Sequence, residues 1–120
     1  MDELTAAALA SQFIGVVGRR WTLEVLALLL QHGHRYQEIY DALDGISYKV
    51  LTETLRRSER DGLVFRRLAP DRVETATLYQ LTEMGRSLFQ AVASLAEWAD
   101  DHWNDVQASR EQWDATRRTR

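Results

Sequence analysis

The chain has 120 residues, enough for a single domain, and 45% of them are hydrophobic while 28% are charged, which excludes a wholly disordered protein. The sequence contains no cysteine, which excludes disulfides and thiolate metal sites. The net charge of −3 argues against binding a polyanion, yet residues 47–72 form a basic segment with seven basic and four acidic side chains. The longest apolar run, residues 25–30, is too short to span a bilayer, and the acidic start does not resemble a signal peptide. We therefore expect a cytoplasmic protein.

Hydrophobic periodicity predicts three helices in the first part of the chain, over residues 4–17, 21–31 and 36–43. The second helix is apolar on most of its sides, which is typical of a helix in the middle of a core. Gly33 is expected to end it in the left-handed conformation that glycine tolerates.

A fourth helix is predicted over residues 48–61. The Asp44-Gly45 pair indicates a turn, Ser47 is a favourable N-cap, and Gly62 ends the helix. One side of this helix is expected to face inward, and it consists of apolar or small residues: Val50, Leu51, Thr54, Leu55 and Ser58.

Two short strands, over residues 63–68 and 76–81, flank a loop at residues 69–75 and predict a β-hairpin. Thr82 is expected to cap a long last helix that extends past His102. The fold class is therefore mainly α with a small β-hairpin, and the order of elements is that of a winged helix-turn-helix.

Apolar stripes on the first and last helices are too extensive for one small domain to cover. We therefore expect a homodimer that forms through these N- and C-terminal helices. The predicted organisation is a single winged helix-turn-helix domain with its dimerisation helices over residues 1–114, followed by a flexible basic tail over residues 115–120.

The fourth helix is the candidate DNA-recognition helix, because the major groove admits one α-helix whose N-terminal residues reach base edges. Candidates at this end are Ser47, Tyr48, Lys49, Thr52 and Glu53. Lys49 suits guanine O6 and N7, and Thr52 suits a thymine methyl group or a phosphate. Arginines farther along suit phosphates or the minor groove: Arg56, Arg57, Arg66, Arg67 and Arg72. Two alternatives remain. The charged face is simply solvated, or it belongs to a winged-helix module that binds an acidic protein instead of DNA.

Other candidate sites carry little chemistry. His32 and His34 could provide two metal ligands, but no third ligand is near them in the sequence. Asp101 and His102 are adjacent positions of a helix and do not face each other. We therefore expect no metal, no cofactor and no catalytic residues, so the chain is not expected to be an enzyme.

Five segments carry a specific set of motifs, namely GRRWTL at 18–23, RYQEI at 35–39, GISYKVLTETLR at 45–56, ERDGLV at 59–64 and YQLTEMG at 79–85. Together they resemble the HxlR-type winged helix-turn-helix transcriptional regulators. The resemblance covers residues 8–103 and implies a dimeric bacterial transcription factor whose first and last helices form the dimer interface. A dimer of this kind would bind a near-palindromic operator, with repression as our working expectation.

Three positions depart from the family pattern. Ala8 stands where the family often has a cysteine, Pro70 is alone where a pair of prolines is usual, and Ser58 replaces a leucine. Without a thiol, a disulfide or thiol-adduct switch is impossible. The chain is then either a constitutive DNA binder or a protein that responds to a reversible ligand. We expect the second, with an aromatic small molecule bound between the long helices and the winged domains. The candidate ligand-binding residues are Phe13, Trp21, Met84, Phe89, Trp98 and Trp103. Packing in the core or in the dimer interface is the alternative role for these side chains.

Overall fold

The computed structural model describes residues 1–68 and 77–118. In chain order the elements are α1 (Glu3–Val17), α2 (Thr22–Leu29), β1 (His34–Arg35), α3 (Tyr36–Ala42), α4 (Tyr48–Arg60), β2 (Val64–Leu68), β3 (Thr77–Leu81) and α5 (Glu83–Arg118). The predicted winged helix-turn-helix, mainly helical with a small antiparallel sheet, is confirmed. Within the described ranges, no helix combines the length and the apolar composition needed to cross a bilayer.

Two compact units divide the chain, Met1–Phe89 and Gln90–Arg120, and α5 contributes to both. The second unit is helical through residue 118 and carries large apolar side chains that remain more than half exposed: Leu95, Trp98, Trp103 and Trp113. Residues 115–118, predicted as the start of a flexible tail, lie within α5, and residues 119–120 lie outside the described part of the chain.

The core of the first unit is centred on α2. Val25, Leu26 and Leu29 have at most 1% of their surface exposed, as expected for a helix that is apolar on most sides. This helix is shorter than predicted, because it begins after Trp21, whose φ of 81° is left-handed. That conformation is costly for a bulky residue. The Trp21 ring packs against the core, and the Arg20 guanidinium lies 4.6 Å from the ring centroid.

The prediction for Gly33 is wrong. Among the described glycines, positive φ occurs at Gly45 and Gly62, and Gly33 does not adopt it. Gly33 instead precedes β1, where a Cβ atom would lie 2.8 Å from Gln80 Cγ and 3.2 Å from the Tyr79 carbonyl oxygen. A larger residue would need the Gln80 side chain to shift, so glycine lets the chain pass close to β3 here.

The sheet has three strands in the described residues, in the order β1-β3-β2. The predicted hairpin is confirmed, since β2 pairs antiparallel with β3 from Val64 opposite Leu81 to Leu68 opposite Thr77. The sequence patterns missed β1, which pairs with β3 on its other edge, with His34 opposite Tyr79. The predicted loop at residues 69–75 and the first residue of the predicted second strand lie outside the described residues.

The helix α4 forms as its sequence predicts. Ser47 is its N-cap, because the hydroxyl oxygen accepts a hydrogen bond from the Val50 amide at 3.1 Å. Of the five residues predicted to face inward, Val50 is half-buried. The other four are buried: Leu51, Thr54, Leu55 and Ser58. The Thr54 hydroxyl donates to the Val50 carbonyl at 2.8 Å, so this buried polar group has a partner.

Thr82 joins the end of α4 to the start of α5. Its hydroxyl oxygen accepts from the Gly85 amide at 2.9 Å, which confirms the predicted cap. The same hydroxyl donates to the Gly62 carbonyl at 2.6 Å, and the Thr82 amide donates to the Leu63 carbonyl at 3.1 Å. Two hydrogen bonds therefore join the turn after α4 to the start of α5, and the third caps α5 itself.

A substitution at Gly85 tests the close packing at this junction. A Cβ atom at Gly85 would overlap the Leu63 carbonyl oxygen and lie 3.2 Å from Leu81 Cδ2. We expect Gly85→Ala to lower the free energy of unfolding by about 1–3 kcal/mol, because the backbones must move apart. Urea unfolding at a fixed protein concentration measures this. The matched control is Gly15→Ala in α1, where a Cβ meets nothing within 4 Å. Similar results for the two variants would contradict the close packing at Gly85.

Candidate nucleic-acid interface

The outer side of α4 presents the polar residues predicted to contact DNA. Lys49, Glu53 and Arg56 are exposed, and Thr52 and Arg57 are half-buried. Tyr48 keeps 51% of its surface exposed at the first turn. The structure thus brings Tyr48, Lys49, Thr52, Glu53 and Arg56 to the side of α4 that faces away from the buried stripe. Arg57 lies at the edge of that side, where it lines a cavity with Ser58.

A tyrosine cluster, formed by Tyr36 and Tyr40 of α3 and Tyr48 of α4, supports the first turn of α4. The Tyr40 and Tyr48 rings stack with centroids 3.9 Å apart, and those of Tyr36 and Tyr48 lie 6.3 Å apart and nearly parallel. The Tyr36 hydroxyl donates to the Tyr48 carbonyl at 3.0 Å and lies 2.8 Å from Thr52 Oγ1. The sequence patterns predicted a helix over residues 36–43 but not these contacts, although the spacing of four residues between Tyr36 and Tyr40 indicates that they share a face.

The first wing strand, β2, is tied to α4 by an ion pair. Arg66 Nε donates to Glu59 Oε2 at 3.1 Å, and the Glu59 side chain is 27% exposed. Arg66 lies opposite Tyr79 of β3, where burial raises the pKa of the Tyr79 hydroxyl and the Arg66 charge opposes that rise. The Arg66 charge is thus partly balanced within the protein. The exposed Arg67 side chain points to the other face of the strand.

A groove of about 270 Å³ lies where α3, α4 and the sheet meet, and its lining comprises Tyr36, Thr52, Leu55, Arg56, Glu59, Arg66 and Tyr79. Thr52 and Arg56, two predicted recognition residues, therefore share one surface with Arg66 of the wing. Arg72, the remaining predicted contact, lies outside the described residues.

The predicted ligand-binding residues lie in both units. In the first unit Trp21 and Phe89 are half-buried against the core, whereas Phe13 and Met84 are about half exposed. In the second unit Trp98 and Trp103 are 55% and 51% exposed.

A separate cavity of about 210 Å³ in the first unit has other walls: Val16, Arg19, Thr22, Arg57, Ser58, Arg60, Asp61 and Leu63. The six predicted ligand-binding residues do not line this cavity, so their role stays a prediction.

The histidines are engaged with their neighbours. The His32 and His34 rings stack with centroids 4.4 Å apart, and His102 stacks on Trp98 one helical turn earlier at the same distance. In residues 1–68 and 77–118, histidine and carboxylate side chains do not gather in groups of three that could hold a metal ion.

Comparison with known proteins places this geometry in a family. A family model described as HxlR-like helix-turn-helix matches residues 16–107. The HTH-type transcriptional regulator YtfH of Escherichia coli K12 is 31% identical over 96 residues, which cover 80% of this chain and 75% of YtfH.

Solved structures have the same fold. A transcriptional regulator assigned to the MarR family from Enterococcus faecalis V583 aligns with a TM-score of 0.74 at 33% identity, covering 88% of this chain and 92% of that one. The redox regulator HypR in its reduced form gives 0.71 at 26%, covering 82% and 97%. Quinone-bound YodB of Bacillus subtilis gives 0.68 at 26%, covering 78% and 98%. The chain belongs to the HxlR-like helix-turn-helix family of transcriptional regulators.

Proposed function

We propose that this regulator binds double-stranded DNA directly, with α4 in the major groove and β2 beside it, and that it acts by binding and not by catalysis. The observation that carries the proposal is the outer face of α4. Its first turn is capped by Ser47 and supported by the tyrosine cluster, and it presents Tyr48 and Lys49 to solvent. A helix fixed in this way can insert its N-terminal residues between the DNA backbones.

The functional unit in this proposal is a homodimer formed by α1 and α5. All residues of α1 are exposed or half-buried, although several are large and apolar: Leu4, Leu9, Phe13 and Ile14. Exposed large apolar side chains in this number are a reason to expect an interface on this helix. Twofold symmetry would space the two α4 helices about one DNA turn, roughly 34 Å, apart and require a near-palindromic operator.

An aromatic small molecule is the proposed effector. YodB, a structural relative, is known in a quinone-bound form. Relatives also include the redox regulator HypR, but the 120 residues of this chain contain no cysteine. The proposed ligand is therefore held reversibly by aromatic side chains, and it regulates only if it binds the DNA-bound and free states with different affinity.

Selection from a randomised DNA library tests the DNA-binding proposal. We expect enrichment of near-palindromic sites, and Lys49→Ala should then weaken binding to the selected site by about 1–3 kcal/mol while relaxing base preference. Arg67→Ala, a variant of the wing, should weaken binding to all sequences and reduce the salt dependence by about one counterion. Fluorescence anisotropy at several salt concentrations separates the two effects. If no sequence is enriched, the protein-interaction alternative is favoured.

Sedimentation velocity tests the dimer. At micromolar concentration we expect twice the 13.9 kDa mass of one chain. Phe13→Glu should shift the equilibrium to monomers, because it would bury a charge in the interface. Leu68→Glu is the matched control, since Leu68 is also an exposed apolar side chain but lies on the wing. A wild-type protein that sediments only as a monomer would contradict the proposal.

Tryptophan fluorescence tests the effector. A naphthoquinone with both reactive ring positions methylated, which cannot add covalently there, should quench fluorescence and release the selected DNA. Trp98→Ala should raise the half-saturating concentration by about three- to tenfold through lost stacking. Trp113→Ala, similarly exposed but outside the predicted site, should leave it unchanged. Equal effects of the two variants would argue against the predicted site.

A further inference from the structure

The hydrogen-bond chain from Tyr48 through Tyr36 to Thr52 has only one direction that satisfies both contacts. The Tyr48 carbonyl oxygen can only accept, so the Tyr36 hydroxyl donates its single hydrogen there, at 3.0 Å. The Tyr36 oxygen is then an acceptor in its second contact. At 2.8 Å from it, Thr52 Oγ1 must therefore be the donor.

The consequence for Thr52 is that its hydroxyl hydrogen is already used inside the protein. Two lone pairs remain on Oγ1, so this group can only accept a further hydrogen bond. Thr52 is half-buried and lies one helical turn after Tyr48, on the face proposed to enter the major groove. The contact that it can still make is therefore with a donor on the DNA.

We propose, building on the DNA-binding function above, that Thr52 reads a base through its exocyclic amino group. In the major groove only adenine N6 and cytosine N4 donate, whereas guanine and thymine present acceptors. Phosphate oxygens also accept, so a Thr52–phosphate hydrogen bond is disfavoured. This role differs from the thymine methyl or phosphate contact expected from the sequence. Tyr36 is a positioning residue that sets this preference without touching DNA.

The tyrosine cluster keeps this arrangement in place. The Tyr36 ring is half-buried against the core, and it lies nearly parallel to Tyr48. Tyr40 stacks on Tyr48 at 3.9 Å, so the first turn of α4 is supported by two rings of α3. The packing of its ring against the core and its hydrogen bond to the Tyr48 carbonyl thus hold the Tyr36 hydroxyl near Thr52.

The experiment uses the DNA site selected with the full chain. Each adenine in that site is replaced in turn by purine, and each cytosine by pyrimidin-2-one, which lack the amino group alone. For the wild-type protein we expect one position in each half-site at which the loss weakens binding by about three- to tenfold. Thr52→Val keeps the shape of the side chain without the hydroxyl and should show no loss at that position.

Tyr36→Phe gives the second readout. It frees the Thr52 hydrogen, so the hydroxyl can then donate as well as accept. Sites with guanine or thymine at that position should gain affinity relative to sites with adenine or cytosine, while loss of the amino group should still weaken binding. Tyr40→Phe, which removes a hydroxyl of the same cluster outside this hydrogen-bond chain, should keep the wild-type preference. Thermal unfolding checks that each variant is folded.

Two results would overturn the inference while leaving DNA binding intact. One is a wild-type protein that tolerates loss of the amino group at every position. The other is a Tyr36→Phe protein that keeps the wild-type preference for adenine or cytosine over guanine or thymine, or a Thr52→Val protein that still loses affinity when the amino group is removed. If selection enriches no DNA at all, the proposed function fails and this inference fails with it.

Discussion

Burial of one side of α4 against α2 is the constraint on which the rest of the structure depends. Leu51 and Leu55 are at most 1% exposed, and burial of each such side chain contributes about 1.5–3 kcal/mol. Since these two residues occupy the same stripe, they fix the rotation of α4 about its own axis. The opposite face, with Lys49 and Glu53, is then exposed without any further interaction being needed. The small residues Thr54 and Ser58 complete the stripe. The chain therefore buries a serine, 2% exposed, at the position where the family pattern has a leucine.

Much of this arrangement could be predicted from local patterns. The Ser47 cap, the inner stripe of α4 and the hairpin each depend on residues close in sequence, so their signals survive without tertiary information. In contrast, β1 is two residues long and exists only because β3 pairs with it. Gly33 was misread for the same reason, since its role depends on Gln80, a residue far away in the sequence.

The sequence predicted which residues of α4 are exposed, but not which residues of other elements they contact. Exposed positions of α4 follow from helical periodicity, and the structure presents them as expected. The Glu59–Arg66 ion pair and the hydroxyl contact between Tyr36 and Thr52 join different elements, and side-chain direction decides them. A chain with a net charge of −3 can still offer a basic surface, yet part of that basic charge is neutralised locally by Glu59.

The Thr82 junction attaches the base of α5 to neighbouring elements of the first unit. Hydrogen bonds from Thr82 reach the Gly62 and Leu63 carbonyls, and one from Arg86 reaches the Leu30 carbonyl at 2.6 Å. Together with the cap at Thr82 and the close contact at Gly85, they attach the base of α5 to the elements around it. Each of these hydrogen bonds would have to break before the base of α5 could change its direction on its own. A change in the direction of α5 at its base would therefore require the turn after α4 and the end of α2 to move with it.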